Sequence, residues 1–272
     1  MNKQIFHILL FWSVALLFAS CSDFQKILKS DNVDKKYEAA LKYYDKKDYY
    51  KAGLLLEELI PLMKGRPESE KAQFLYANTQ FLQKDFVLSA YYFRNFQETY
   101  PRSEFAEEAM FLHTKSLYRD SPTYNLDQSN TLTALEAIQE FINRYPKSQY
   151  LKESNEMYDD LSRKLEVKAF ENAKLYAQLR QYSSAVVALA NFQRSYPSSD
   201  FNEEAVFLKV EAQYNLAKES VAEKQRDRYY EAISFYQEFV DKFPKSKYLS
   251  TAEGYYDAAQ TQLEKLRASA SR

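Results

Sequence analysis

The chain has 272 residues, 46% of them apolar, with 37 basic against 38 acidic side chains. Three Gly cannot supply the turns of a barrel, a sandwich or a phosphate-binding loop. One Cys and two His exclude a disulfide framework and thiolate or imidazole-rich metal sites. A net charge of −1 lacks the basic excess that neutralises nucleic-acid phosphates. What remains is an all-helical, aromatic-rich protein, with 24 Tyr and 19 Phe.

The N-terminus reads as an address. Lys3 precedes an apolar run from Ile5 to Phe18 of about 14 residues, short of the roughly 20 that span a bilayer as a helix. The small pair Ala19-Ser20 then precedes Cys21, and the chain turns polar at Ser22-Asp23. A basic start, a short apolar core and small residues describe a secretory signal peptide. The sole Cys after Ala19-Ser20 resembles the lipobox of bacterial lipoproteins, although Phe18 stands where Leu is usual. That resemblance implies cleavage after residue 20 and a covalent lipid on Cys21. The alternatives are an ordinary signal peptide with an incidental Cys, or an uncleaved anchor. Residues 21–33 read as a tether, with Phe24, Ile27 and Leu28 free to dock on the first helix or rest at the membrane interface.

The body is a repeated unit. Phe96-Gln-Glu-Thr-Tyr100-Pro101-Arg-Ser103-Glu-Phe105 recurs at Phe141 to Tyr150, with Tyr145-Pro146. It recurs again at Phe192 to Phe201, with Tyr196-Pro197, and at Phe239 to Tyr248, with Phe243-Pro244. Seven residues before each Phe stands a small residue, namely Ser89, Ala134, Ala185 and Ala232. Between them stands a larger one: Phe93, Ile138, Leu189 and Tyr236. A degenerate copy reads Ala52, Leu56, Leu59.

Positions i, i+4 and i+7 share one helix face, where the small residue admits a neighbouring helix. Proline disfavours the α conformation of the residue before it and stops the helix. The Ser two residues later suits the N-cap of the next helix. Phe96, Tyr100, Pro101, Phe141, Tyr145, Pro146, Phe192, Tyr196, Pro197, Phe239, Phe243 and Pro244 are therefore structural closures of helical hairpins. This spacing predicts helix pairs near 34–47 and 49–64, 68–84 and 86–100, and 103–119 and 128–145. A stretch free of Gly and Pro over 148–180 precedes a helix at 182–196. A pair near 200–219 and 226–243 and a helix near 247–267 complete the chain. Repeats 1–3 fill residues 34–146, and repeats 4–5 with the last helix fill 147–272.

The unit resembles tetratricopeptide repeats, although the closing prolines stand 45, 51 and 47 residues apart against a unit of about 34. Extra turns and inserts near 120–127 and 219–227 are the expected source of the excess. The resemblance implies a right-handed superhelix, an α-solenoid, of about five hairpins plus a C-terminal capping helix.

The lipobox, five hairpins and Tyr-Pro-x-Ser closures together resemble the BamD family of outer-membrane assembly lipoproteins, also called YfiO or ComL-like. The best local carriers are Asp127 to Tyr150 and Tyr176 to Pro197. The resemblance implies a lipid-anchored protein on the periplasmic face of a Gram-negative outer membrane. Its implied partners are a BamA/Omp85-type β-barrel protein, unfolded outer-membrane proteins and other assembly lipoproteins. It implies that N-terminal repeats receive precursors and C-terminal repeats dock on the barrel partner.

Tyr37, Tyr44, Phe74 and Phe81 are candidate groove residues on the first helices of the first two repeats; the commoner role of aromatics at this spacing is inter-helix core. No cofactor is expected beyond the N-terminal lipid, and no nucleic acid. His113 has no partner in a nucleophile motif. The doublets Glu57/Glu58, Glu107/Glu108, Asp159/Asp160 and Glu203/Glu204 diverge around their helices and do not converge on one atom. The expectation is a binding protein with no catalytic residues and no metal. The rival reading is a repeat lipoprotein that serves peptidoglycan or cell-division enzymes.

Overall fold

The computed structural model describes residues 23–270. Cys21 and the expected leader lie outside them. Residues 23–28 are helical. Eleven helices follow: α1 (Val33–Asp45), α2 (Tyr49–Leu62), α3 (Ser69–Leu82), α4 (Phe86–Thr99), α5 (Ala106–Asp120), α6 (Ser129–Arg144), α7 (Leu151–Gln178), α8 (Tyr182–Ser195), α9 (Asn202–Lys218), α10 (Ala222–Lys242) and α11 (Leu249–Ala270). No strand occurs among the described residues. The fold is all-helical, with sequential helices packed in pairs as in a tetratricopeptide-type repeat. The stretch free of Gly and Pro forms one helix of 28 residues, α7. The chain divides into two compact units after Leu161.

Two kinds of turn recur. Within three of the five hairpins the first helix ends on a non-Gly residue in the left-handed region: Lys47 (φ 61), Lys84 (φ 66) and Arg180 (φ 58). The following N–H reaches back to the carbonyl five residues earlier, Asp48 to Tyr43, Asp85 to Gln80 and Gln181 to Tyr176, each at 2.9 Å. This closes the helix as a Schellman motif does without its usual Gly. In the first unit the next residue also starts the second helix. Asp48 Oδ1 accepts from Lys51 N at 3.3 Å, and Asp85 Oδ1 from Leu88 N at 3.2 Å.

Between hairpins the Tyr-Pro closure repeats atom for atom. The N–H groups of Tyr100, Tyr145, Tyr196 and Phe243 donate to the Phe carbonyls four residues back at 2.8–2.9 Å. Their φ, ψ pairs lie near −127°, 60°, outside the helical region, as a following proline demands. The closure Ser does not cap the α-helix as expected. Its Oγ accepts from the N–H two residues on, as for Ser148 with Tyr150 at 3.0 Å. Its carbonyl takes the next N–H. The result is a tight turn that delays the α-helix to Ala106, Leu151, Asn202 and Leu249. At the last insert the difference runs the other way: α10 starts at Ala222, because Ala222-Glu223-Lys224 are good helix formers.

Four rings lock each closure. In the first unit Phe74 stacks on Phe105 (4.9 Å, 23°) and meets Phe96 edge-on, while Phe96 packs on Tyr100. Phe111 stacks on Tyr150 (4.2 Å, 7°) and packs on Phe141, which packs on Tyr145. In the second unit Phe170 stacks on Phe201 (4.6 Å, 4°) beside Phe192 and Tyr196. Phe207 stacks on Tyr248 (4.6 Å, 9°) beside Phe239 and Phe243. The small residues Ser89, Ala134, Ala185 and Ala232 are all buried, allowing the close helix approach their size implies.

Phe141 is fully buried between these rings. We expect Phe141→Ala to destabilise the first unit by about 3–5 kcal/mol, as large-to-small changes of buried aromatics do. Ser148→Ala, which removes a turn acceptor and the bond its hydroxyl donates to Glu107 (2.6 Å), should cost about 1 kcal/mol. Urea unfolding midpoints of the two variants, read with an unchanged slope, check both values.

Candidate peptide-binding faces of the repeats

Two surfaces of the first unit carry side chains suited to holding another chain. One is formed by the first helices of successive hairpins, α1, α3 and α5. Tyr44 on α1 accepts a hydrogen bond from Asn78 Nδ2 on α3 at 2.8 Å. Phe81, one turn further along α3, lies under the Lys115 ammonium of α5 at 6.0 Å from the ring centre. Burial raises the Tyr44 hydroxyl pKa, with Tyr49 adding to the shift and the Asn78 bond opposing it. Burial likewise raises Tyr37, helped by the charge of Glu68. Burial also raises the Glu108 carboxyl on α5.

These positions treat the four candidate groove residues differently. Phe74 is 4% exposed and stacks on Phe105, so its ring belongs to the closure cluster. Tyr37, Tyr44 and Phe81 are half-buried, packed against the core with an edge at the surface. The reason is repeat register. Tyr37, Phe74 and Phe111 are 37 residues apart in sequence, and so are Tyr44, Phe81 and Tyr118. At the first position Phe74 and Phe111 stack on the closure rings Phe105 and Tyr150. Tyr37 belongs to the degenerate copy, which has no Tyr-Pro closure, and stays half-buried. The second position lies two turns further along the same helix.

Tyr118 was therefore missed by sequence reasoning, although the spacing of 37 would have found it. Its hydroxyl donates to Asp160 Oδ2 at 3.1 Å. Lys115 is a second omission: it pairs with Glu153 Oε1 at 2.8 Å and sits over Phe111 at 5.4 Å. The first-helix face thus combines Tyr44, Phe81 and Tyr118 with charges anchored by ion pairs. Rigid aromatic surface of this kind contacts a peptide at low entropic cost.

The other surface is a groove of about 730 Å³ along α4, α5 and α6, floored by His113 and edged by Val87, Tyr91, Arg94, Glu140 and Arg144. His113 Nδ1 lies 2.9 Å from the Ala90 carbonyl. Because a carbonyl only accepts, Nδ1 carries the proton and Nε2 is the acceptor. Burial lowers the imidazole pKa, the Ala90 bond opposes this, and Arg94 lowers it further against Glu140.

In the second unit the same first-helix position is built from α7 and α9. Lys174 Nζ pairs with Glu204 Oε1 at 2.6 Å, and this bond raises the ammonium pKa against desolvation. A cavity of about 300 Å³ follows, lined by Tyr182, Leu208, Glu211 and Asn215 among others. Tyr255 of α11 donates to Glu211 at 2.7 Å. Among the described residues no group of three or more His, Cys, Asp or Glu side chains is placed to hold a metal ion. The repeat closures hold structure, while the half-buried aromatics and paired charges on the first helices lie at the surface.

The fold and these faces define a helical-repeat protein of the tetratricopeptide type, a class whose working surfaces are helix faces. Residues 29–228 match the family model described as YfiO, outer membrane lipoprotein. The chain belongs to this family. It is also 25% identical over 196 residues to a putative outer membrane protein assembly factor BamD of Aquifex aeolicus, a match covering 71% of this chain. The chain spans 64% of the length of that relative. Among the described residues no helix is long and apolar enough to cross a membrane.

Neutral His113 stabilises the fold relative to an unfolded chain in which the ring protonates more easily. Its folded pKa lies below the unfolded one, so this contribution is complete above about pH 6.5 and is lost as pH falls towards the folded value. We expect the urea midpoint to drop between pH 7.5 and pH 5 by more in the parent protein than in His113→Gln. Equal drops would remove His113 from the account.

Proposed function

We propose that the protein is a lipid-anchored component of the outer-membrane β-barrel assembly machinery. The observation that carries this reading is the match of residues 29–228 to the outer membrane lipoprotein family. The A. aeolicus relative, described as an assembly factor, supports the same direction. In this proposal Cys21 bears the lipid, and the repeats lie on the periplasmic face of the outer membrane. The protein acts by binding, with no catalytic step of its own. Other assembly lipoproteins complete its set of partners.

The first-helix face of repeats 1–3, over 34–146, receives unfolded barrel precursors. Such precursors end in strands rich in aromatic residues, which Tyr44, Phe81 and Tyr118 suit by ring-to-ring contact. Tyr37 extends the same face. The half-buried setting of these rings supports the assignment: each is held by the core yet keeps an edge for a ligand. Repeats 4–5 with the final helix, over 147–272, dock on the periplasmic part of a BamA/Omp85-type barrel protein.

Crosslinking the intact protein in its native envelope tests this assignment. Recovery of an Omp85-type barrel protein is the expected result; recovery of peptidoglycan enzymes alone would overturn it. A second measurement addresses the face itself. Phe81→Ala together with Tyr118→Ala should weaken binding of an aromatic-ended precursor peptide at least tenfold, equivalent to about 1.4 kcal/mol. Circular dichroism should remain that of the parent. Unchanged affinity in a folded variant would remove these rings from the binding face.

A further inference from the structure

The segment that follows the expected lipid site is docked on the first hairpin. Phe24 is 5% exposed and meets the Tyr43 ring edge-on at 5.5 Å. The Lys51 ammonium lies 5.8 Å from the Phe24 ring centre and 5.3 Å from that of Tyr43. At the other end of the segment, Lys36 Nζ donates to the Leu28 carbonyl at 2.8 Å and pairs with Glu58 at 2.6 Å. Residue 24 thus lies by the end of α1 and residue 28 by its start. The segment runs antiparallel to α1, and its N-terminal end lies at the turn joining α1 to α2.

Cys21 is two residues before Asp23. Two residues of fully extended chain reach about 7 Å. A lipid on Cys21 would thus be tied to Asp23, and so to the α1–α2 turn, by no more than that length of chain. The α3–α4 turn lies along the same edge, because Gln83 Nε2 on the α3 end donates to the Tyr49 carbonyl at 3.4 Å. This edge exposes Tyr50 (65%) and Val87 (63%), with Leu82 and Leu88 beside them and Lys46, Lys47 and Lys84 between. Two of its carboxylates are engaged locally. Asp48 accepts from Lys51 N and pairs with Lys51 Nζ at 2.8 Å, and Asp85 accepts from Leu88 N. Asp45 is left exposed.

We propose that this edge of the first two hairpins, the α1–α2 and α3–α4 turns, lies on the lipid headgroups of the membrane that holds the anchor. The inference rests on lipidation of Cys21 as read above. It replaces a loose tether with a short, docked one that fixes which edge of the first unit meets the bilayer. Lysines among exposed Tyr, Val and Leu suit that boundary: the ammonium groups attract anionic headgroups, and the apolar side chains and amphipathic tyrosine ring rest at the interface. The closures, with Pro101 and Glu104, then stand at the far end of the hairpins from the lipid.

The sole Cys simplifies the test, because its thiol is consumed by the lipid and an introduced Cys is the only reactive thiol. The full lipidated chain would carry Tyr50→Cys, Val87→Cys or Glu104→Cys, each labelled with a fluorophore. Each would be reconstituted in phosphatidylethanolamine/phosphatidylglycerol vesicles with and without a headgroup-spin-labelled lipid. We expect at least twofold quenching at positions 50 and 87 and little at 104. Adding Phe24→Ala, which undocks the segment, should bring position 50 down to the level of 104. Equal quenching at all three positions in vesicle-bound protein would overturn the proposal while leaving the lipid anchor standing. Undiminished quenching with Phe24→Ala would overturn the docked segment as its cause. Protein not retained by vesicles would overturn the anchor reading and this proposal with it.

Discussion

The stacking of one aromatic ring from each closure on a Phe of the preceding hairpin is the contact on which both units depend. Each of the four stacks joins residues 31–41 positions apart, so none can form until a whole hairpin has folded between them. The proline beside each stack is its necessary companion. By keeping the preceding residue out of the helical region it ends one helix and aims the next. The ring four residues past the Phe then packs on that Phe, and the ring beyond the Ser reaches the neighbouring hairpin. Backbone stop and side-chain lock are thus a single device, repeated twice in each unit.

That division of labour frees the rest of each hairpin. With register held by buried rings, the residues two turns further along the first helices are packed on the core and keep an edge at the surface. Tyr44, Phe81 and Tyr118 occupy that place in successive hairpins of the first unit. The Lys115–Glu153 ion pair holds a long side chain still beside Phe81, and Lys174–Glu204 does the same for the first helices of the second unit. A rigid aromatic face needs little ordering when it meets a peptide. The same rigidity gives the docked segment at residues 23–28 its consequence for the proposed lipid site: an anchor joined to a firm hairpin would transmit direction, whereas one joined to a mobile strand would transmit only proximity.

Much of the fold was legible because helix periodicity and proline are local signals. The small, large, Phe, Tyr-Pro series located every second helix of the last four hairpins. Two local readings shifted in the structure. The closure Ser shapes a tight turn instead of capping an α-helix, because its carbonyl takes the N–H three residues on and leaves its Oγ the one two residues on. Helix α10 consumes most of an expected insert, because its first residues prefer helix. The candidate face was only partly legible: Phe74 and Phe81 are both aromatic on one helix, one face apart by two turns, and periodicity treats them alike.

The chain's own order of residues therefore determined the helical class, the repeat, the places where helices stop and the position of the lone Cys, since each is set by backbone chemistry within a few residues. Tertiary structure decided which aromatic is core and which keeps an open edge, which lysines find carboxylates, and that Phe24 folds back beside Tyr43 and Lys51. Those outcomes turn on contacts between residues tens of positions apart. Such pairs are chosen by packing in three dimensions, where a ring 37 residues away in sequence can be the nearest neighbour of the next.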